Sequence, residues 1–182
     1  MIEQKEEKQW HVLQAKFNGA LKAQKLFNDL GVDCYVPMEV RDVTVKGMAT
    51  RRKLMPIFQN IIFADITEAQ LREIRAENSY LWCLSTLSLD GRRTLMTVPR
   101  KQMQTFIDFV GEHFSEVKYL DVASFDLKKG ERVRITEGLF AGKEGTFVKV
   151  KGKRSRQIVV AIDGLIAVSI AHKNPAEIVE RI

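Results

Sequence analysis

Residues 129–151 read KGERVRITEGLFAGKEGTFVKVK, and this stretch decides the fold of the C-terminal part of the chain. Val133 and Ile135, separated by Arg134, form one face of a strand, because strand side chains alternate with period two. Glu137-Gly138 and Ala141-Gly142 mark tight turns, where glycine supplies positive φ without a steric cost. Leu139 and Phe140 are apolar residues held between those turns, so the loop is expected to fold back onto its own sheet. Residues 145–150 make the next strand, and Lys151-Gly152-Lys153 turns the chain again. Further on, β-branched Ile158, Val159, Val160, Val168 and Ile170 favour strands, and residues 159–167 carry no helical stripe. The expectation is a small all-β unit over residues 126–182.

Working outward, residues 10–17 (WHVLQAKF) read as a strand, with Asn18 as cap of a helix over residues 20–30 and Gly31 just past its end. Residues 32–40 are a second strand, interrupted by Pro37, which points to an edge or a bulge. The polar residues 41–53 suit an extended hairpin turning at Lys46-Gly47, and residues 57–66 a third strand. Thr67 and Gln70 form a capping-box pattern that opens a helix. Residues 80–89 and 94–98 are expected to pair across an Asp90-Gly91 turn. Pro99 suits the first turn of a last helix, on which Met103, Phe106, Ile107 and Val110 recur at helical spacing. This order predicts an α+β arrangement, helices packed on an antiparallel sheet, then a connector near residues 115–124.

At 182 residues the chain holds one large domain or two small ones. No apolar run approaches the roughly 20 residues that span a bilayer, so no membrane partner is expected. The polar N-terminus is unlike a signal peptide, and Cys34 and Cys83 lack a paired cysteine motif, which suits free thiols in a reducing cytoplasm. The net charge is +6 and is unevenly placed. From Asp126 onward there are 12 Lys/Arg against 7 Asp/Glu, leaving 17 against 16 in residues 1–125. The excess centres on Lys149, Lys151, Lys153, Arg154 and Arg156, which suits either a polyanionic partner or a solvated hairpin tip. His11, His113 and His172 have no carboxylate or cysteine at a telling spacing, and neither a phosphate loop nor a zinc-protease motif occurs. No catalytic motif, cofactor or metal site is therefore expected.

The stretch at 129–151 resembles the KOW motif of small SH3-like barrels found in transcription elongation factors and ribosomal proteins, in its glycines, its alternation and Phe140. The opening WHVLQAK at 10–16 resembles the start of NusG N-terminal domains. Tyr35-Val36-Pro37 follows at that family's spacing, and MPIFQNIIF at 55–63 is similar to the family's L-F-P-G-Y-V-F strand. Gln59-Asn60-Ile61 stands where Pro-Gly-Tyr is usual, and His11 where a tyrosine is usual. The resemblance implies a NusG-type domain over residues 1–114, a linker at 115–125 and a KOW SH3-like β barrel at 126–182. It implies no enzyme but a specialised paralogue, like RfaH or the capsule-locus antiterminators of the Bacteroidota. Such a factor binds the clamp helices of RNA polymerase and promotes processive transcription of long operons. Carried over by position, Phe58, Ile61, Phe63 and Trp10 belong to the polymerase face. Lys16, Lys22, Lys25, Arg51 and Arg52 belong to nucleic-acid contact, with the non-template DNA strand as target. Leu139, Phe140 and Ile166 are the barrel's candidates for ribosomal protein S10 or Rho. KOW barrels also occur in ribosomal proteins, so a ribosome- or structured-RNA-binding protein is the alternative, and an adaptor without nucleic-acid contact a third.

Overall fold

A computed structural model describes residues 7–44, 49–87, 90–111, 113, 115–162, 164–170, 172 and 174–182. Its contacts divide the chain into two compact units, Met1–Arg100 and Lys101–Ile182.

The first unit is built around strand β1 (Gln9–Ala15), whose residues are too apolar on both faces for anything but the middle of a sheet. Helix α1 (Ala20–Asp29) follows, then β2 (Cys34–Tyr35), the hairpin β3 (Met38–Val43) and β4 (Arg51–Pro56), and β5 (Ile61–Ile66). Helix α2 (Glu68–Glu77) leads to β6 (Leu81–Cys83), a small hairpin β7 (Ser85–Leu87) and β8 (Arg93–Leu95), and β9 (Thr97–Val98). The sheet runs β2-β5-β1-β6, with β9 also paired to β1, and every pairing is antiparallel. One face carries the helices: Leu13, Ala15, Ile62, Ala64 and Ile66 pack with Ala20, Ala23 and Phe27 of α1 and Leu71 of α2. A fully buried side chain of Phe27's size contributes about 1.5–3 kcal/mol by burial.

Several sequence expectations are refined here. Pro37 divides the expected second strand, so that β2 joins the main sheet and β3 pairs only with β4. The expected turn at Lys46-Gly47 lies outside the described residues, although the flanking register Met38↔Pro56 through Val43↔Arg51 is that of a long hairpin. The third strand starts four residues later than expected, because residues 57–60 form a turn whose carbonyls serve the neighbouring chain. Thr67 and Gln70 do form the reciprocal capping box. Asn18 does not cap α1. The N-cap is Gly19, without a side-chain bond, and Asn18 is left-handed at φ 57°, whereas a capping side chain needs extended backbone.

The second unit contains helix α3 from its second residue onward (the helix is Arg100–Val110) and an antiparallel sheet. Strands β10 (Val117–Leu120), β11 (Glu131–Ile135), β12 (Glu144–Lys149), β13 (Arg156–Ile162), β14 (Ile166–Ile170) and β15 (Val179–Arg181) run in the order β10-β14-β13-β12-β11-β15. Four residues of the expected connector are thus strand β10, paired with β14 from Val117↔Ile170 to Leu120↔Ala167. Val148, Val150, Val159 and Ala167 form a core here, with Leu120, Phe125 and Leu127 against it. The glycine loop behaves as its sequence requires: Gly142, at φ 81°, donates its N–H to the Ile135 carbonyl at 2.7 Å. Gly145 is needed for space, since a Cβ there would lie 2.8 Å from Ile158 Cγ2.

Candidate functional site

In β1 the even-numbered residues face away from α1 and α2, and the register shows what shares that face. Trp10 lies opposite Asp65 and Val98, Val12 opposite Phe63, and Gln14 opposite both Ile61 and Trp82. Three of the four polymerase-face candidates, Trp10, Ile61 and Phe63, therefore share one sheet face. Trp10 and Phe63 are buried, Ile61 is half-buried, and only Phe58, on the turn between β4 and β5, is exposed, at 37%. Asp65, buried, receives two 2.8 Å bonds from the Arg100 guanidinium, whose Nη2 also donates to the Lys8 carbonyl.

The nucleic-acid candidates fall into separate places. Lys16 Nζ sits 4.3 Å over the Trp82 ring, and Lys22 Nζ 4.3 Å over the Tyr80 ring, so both cations lie on aromatic faces at one end of the sheet. Lys25 is paired with Asp29 one helical turn on, at 3.1 Å. Arg51 and Arg52 are exposed on the β4 arm of the hairpin, with Arg52 3.7 Å from Asp42 across it.

Sequence reasoning missed the turn that joins β1 to α1. Phe17 and Asn18 are the only left-handed non-glycine residues among those described, at φ 58° and 57°. The turn is pinned on both sides: Lys16 N–H donates to the Tyr80 carbonyl, Ala15 N–H to Asn60 and Ala20 N–H to Gln59. It leaves the Phe17 ring 92% exposed, while Trp82 on β6 is 49% exposed. The signal was present as the Asn18-Gly19 dipeptide, a turn pair that ends a strand before Phe17.

In the second unit, Leu139 is exposed, whereas Phe140 is buried, its ring stacked 4.9 Å from Phe109 and met edge-on by His113 at 5.5 Å. The Lys143 ammonium donates to the Asp108 carbonyl beside them. Ile166 is buried opposite Ile162. Part of the basic cluster is engaged within the unit. Lys149 donates to the carbonyls of Lys153 and Arg154, while Arg156 binds Glu131 at 2.9 Å and the Phe147 carbonyl. That guanidinium holds the Glu131 carboxyl below its usual range, with Arg181 adding to the effect.

His11, on the helix-bearing face, is buried, and its Nδ1 lacks a hydrogen-bond partner among the described residues. Burial lowers its pKa, against the fields of Glu68 and Asp65 and the Ile66 backbone, which raise it. The Cys34 thiol is pushed up to about 11 by burial and by Asp33. Among the described residues no group of three or more His, Cys, Asp and Glu side chains converges as a metal site would, and no helix is long and apolar enough to cross a membrane.

The first unit is thus an antiparallel sheet with an exposed aromatic and basic end, and the second unit carries another antiparallel sheet. The model of the family described as transcription termination factor NusG matches residues 8–112, and the chain belongs to the NusG family of transcription elongation and antitermination factors. Among solved structures it is similar to NusG of Thermotoga maritima, in a study titled for domain interaction in that protein. The two share 18% identity with a TM-score of 0.41, over 96% of this chain and 97% of that one. No curated protein matches the chain.

Proposed function

We propose that this protein is a specialised NusG paralogue, an elongation and antitermination factor that docks on the clamp helices of RNA polymerase and promotes processive transcription of long operons. Proteins of this family bind RNA polymerase. The observation that carries the reading is Phe58, an exposed aromatic residue on the turn three positions before Ile61, which shares a sheet face with Trp10 and Phe63. Exposed apolar patches on small domains mark partner sites, and aromatic anchors dominate such interfaces. In this reading Phe58 and Ile61 make the contact, and the buried Trp10 and Phe63 hold the strand that presents them. Docking stabilises one conformational state of the polymerase, a population shift and not a reaction. Lys16, Lys22, Lys25, Arg51 and Arg52 line the route of non-template DNA, where phosphate contacts position without reading sequence. The second unit closes as an SH3-like KOW barrel, and its exposed Leu139, with Phe140 and Ile166, is the surface for ribosomal protein S10 or Rho.

The test is co-elution with core RNA polymerase and terminator read-through on a long template. Wild type is expected to co-elute and raise read-through. Phe58→Asp, placed on an exposed turn, is expected to lose both while its circular dichroism stays unchanged. Undiminished association of a folded Phe58→Asp protein overturns the assignment of this face.

A further inference from the structure

In the second unit the registers Thr146↔Val159, Val148↔Gln157 and Ala161↔Ala167 set Val148, Val159, Ala161 and Ala167 on one face of the sheet. Residues 120–127 cross that face, and Leu120, Phe125 and Leu127 pack against Val148, Val150, Val159 and Ala167. The chain there runs through two short 3-10 turns, Val122–Ser124 and Leu127–Lys129. Its cover is incomplete at the end of β13. There the sheet offers only Ala161 and Gly164, and an open groove of about 510 Å³ is left between them and Val122, Phe125 and Leu127. Val122 stays 36% exposed at its rim.

The surroundings of this apolar hollow are basic. Lys128 lines it, and the Lys151 N–H, bound to the Ser124 carbonyl at 2.8 Å, brings the hairpin tip with Lys153 and Arg154 against the same turn. Lys129 pairs with Asp126 at 3.7 Å, whereas Lys128, Lys151, Lys153 and Arg154 have no carboxylate partner among the described residues. The carboxylates of Asp121 and Asp126 are turned onto the Ala123 and Lys128 amides. A solvated lysine patch needs no hollow, and a phosphate backbone has no bulky apolar group to place in one. A peptide with one bulky apolar side chain among carboxylates satisfies both features, burying the side chain while the charges orient it.

The geometry points to a docking groove for an extended acidic peptide of a partner protein. Its apolar anchor sits over Ala161 and Gly164, and its carboxylates meet Lys128, Lys151 and Lys153. The register Ile162↔Ile166 puts Ile166 on the opposite face from Ala161, so the groove is a second surface, separate from that of Ile166 and from the Phe58 face of the first unit.

Random peptides displayed on phage are selected on the full-length protein, and the most enriched one is made with a fluorescent label for anisotropy titration. Enrichment of a bulky apolar residue flanked by Asp and Glu is expected. Val122→Asp alters an exposed rim residue and is expected to weaken the labelled peptide about tenfold. Lys128→Gln with Lys151→Gln is expected to weaken it about tenfold as well, and to flatten its salt dependence. All these side chains are exposed, so melting curves are expected to match wild type. Leu139→Asp, on the glycine loop, is expected to bind as wild type does. Selection that enriches no acidic and apolar sequence overturns the groove, and so does undiminished binding by a folded Val122→Asp protein. Loss of binding in Leu139→Asp overturns it by moving the peptide to the other surface. An RNA hairpin that outcompetes the peptide, weakens with the lysine variant and ignores Val122→Asp makes the patch a phosphate surface and overturns it too. Polymerase co-elution, lost in Phe58→Asp, is expected to persist in every one of these variants, so the two readings fail separately.

Discussion

Replacing Arg100 by methionine tests whether the Asp65 pair is a structural clamp of the first unit. The Asp65 side chain is 7% exposed and receives two parallel bonds of 2.8 Å, while the Arg100 side chain is 58% exposed. Breaking a fully buried pair costs about 3–5 kcal/mol, because the remaining charge is stranded. Water replaces part of this guanidinium from its open side, so about 2 kcal/mol is expected for Arg100→Met. Asp65→Asn leaves only a solvated guanidinium unpaired and is expected to cost about 1 kcal/mol or less. The double variant is expected to fall short of the sum, with a coupling of about 1 kcal/mol. Both tryptophans lie in the first unit, so urea unfolding followed by their fluorescence reads that unit by itself. At a slope of about 2 kcal/mol per molar, Arg100→Met lowers the midpoint by about 1 M. A larger loss from Asp65→Asn than from Arg100→Met, or two losses that simply add, refutes the clamp.

Three further outcomes follow from particular side chains. His11 is held below its ordinary pKa of about 6.5, so the unfolded chain takes up its proton first; stability is full above that pH and falls below it. The urea midpoint of wild type is expected to drop between about pH 7 and 5 more steeply than that of His11→Phe, and parallel curves exclude the effect. Cys34, with its pKa pushed up to about 11 from 9.0, is expected to react with a disulfide reagent at pH 8 about a hundredfold more slowly than free cysteine. Gly145→Ala forces a methyl within 2.8 Å of Ile158 Cγ2 and 3.3 Å of the Val159 carbonyl, at a cost of about 1–3 kcal/mol. Amide exchange across the Thr146↔Val159 and Phe147↔Ile158 pairs is expected to quicken, with the tryptophan transition of the first unit unmoved.

The elements most legible in sequence were those with a local cause. The capping box at Thr67 and Gln70 is a side-chain-to-backbone exchange within one turn, and it forms as read. The glycines at 138 and 142 take the positive φ their turn demands. Alternation located β11 and β12 within a residue or two, and the β-branched run at 158–160 lies inside β13. What sequence did not show was set by pairing at a distance. Residues 117–120 carry no signal stronger than a polar connector's, and they become a strand because β14 offers an edge. Residues 57–60 look like strand, but the N–H groups of Ala15 and Ala20 draw their carbonyls into a turn. For the site, the register gathered Trp10, Ile61 and Phe63 on one face, while Phe140, read as an outward anchor or a packed loop residue, is packed under Phe109.

The end of the sheet that carries Lys16 and Lys22 was half legible for a physical reason. Lysines announce themselves by charge in a sequence, so Lys16 and Lys22 stood out as basic residues, whereas the rings they rest on come from residues 80–82, brought alongside by the β1–β6 pairing. Phe17 was read as the end of a strand, since an aromatic residue after an alternating run ordinarily continues it. The Asn18-Gly19 pair competes with that preference and wins, because three amides around the turn find carbonyl partners only if the chain reverses there. Strand propensity and turn geometry thus pull Phe17 in opposite directions, and a sequence consistent at every level would place glycine at that position. Phenylalanine there raises the energy of the isolated turn and exposes its ring, and the amide bonds of Ala15, Lys16 and Ala20 to carbonyls across the turn hold the conformation against that cost.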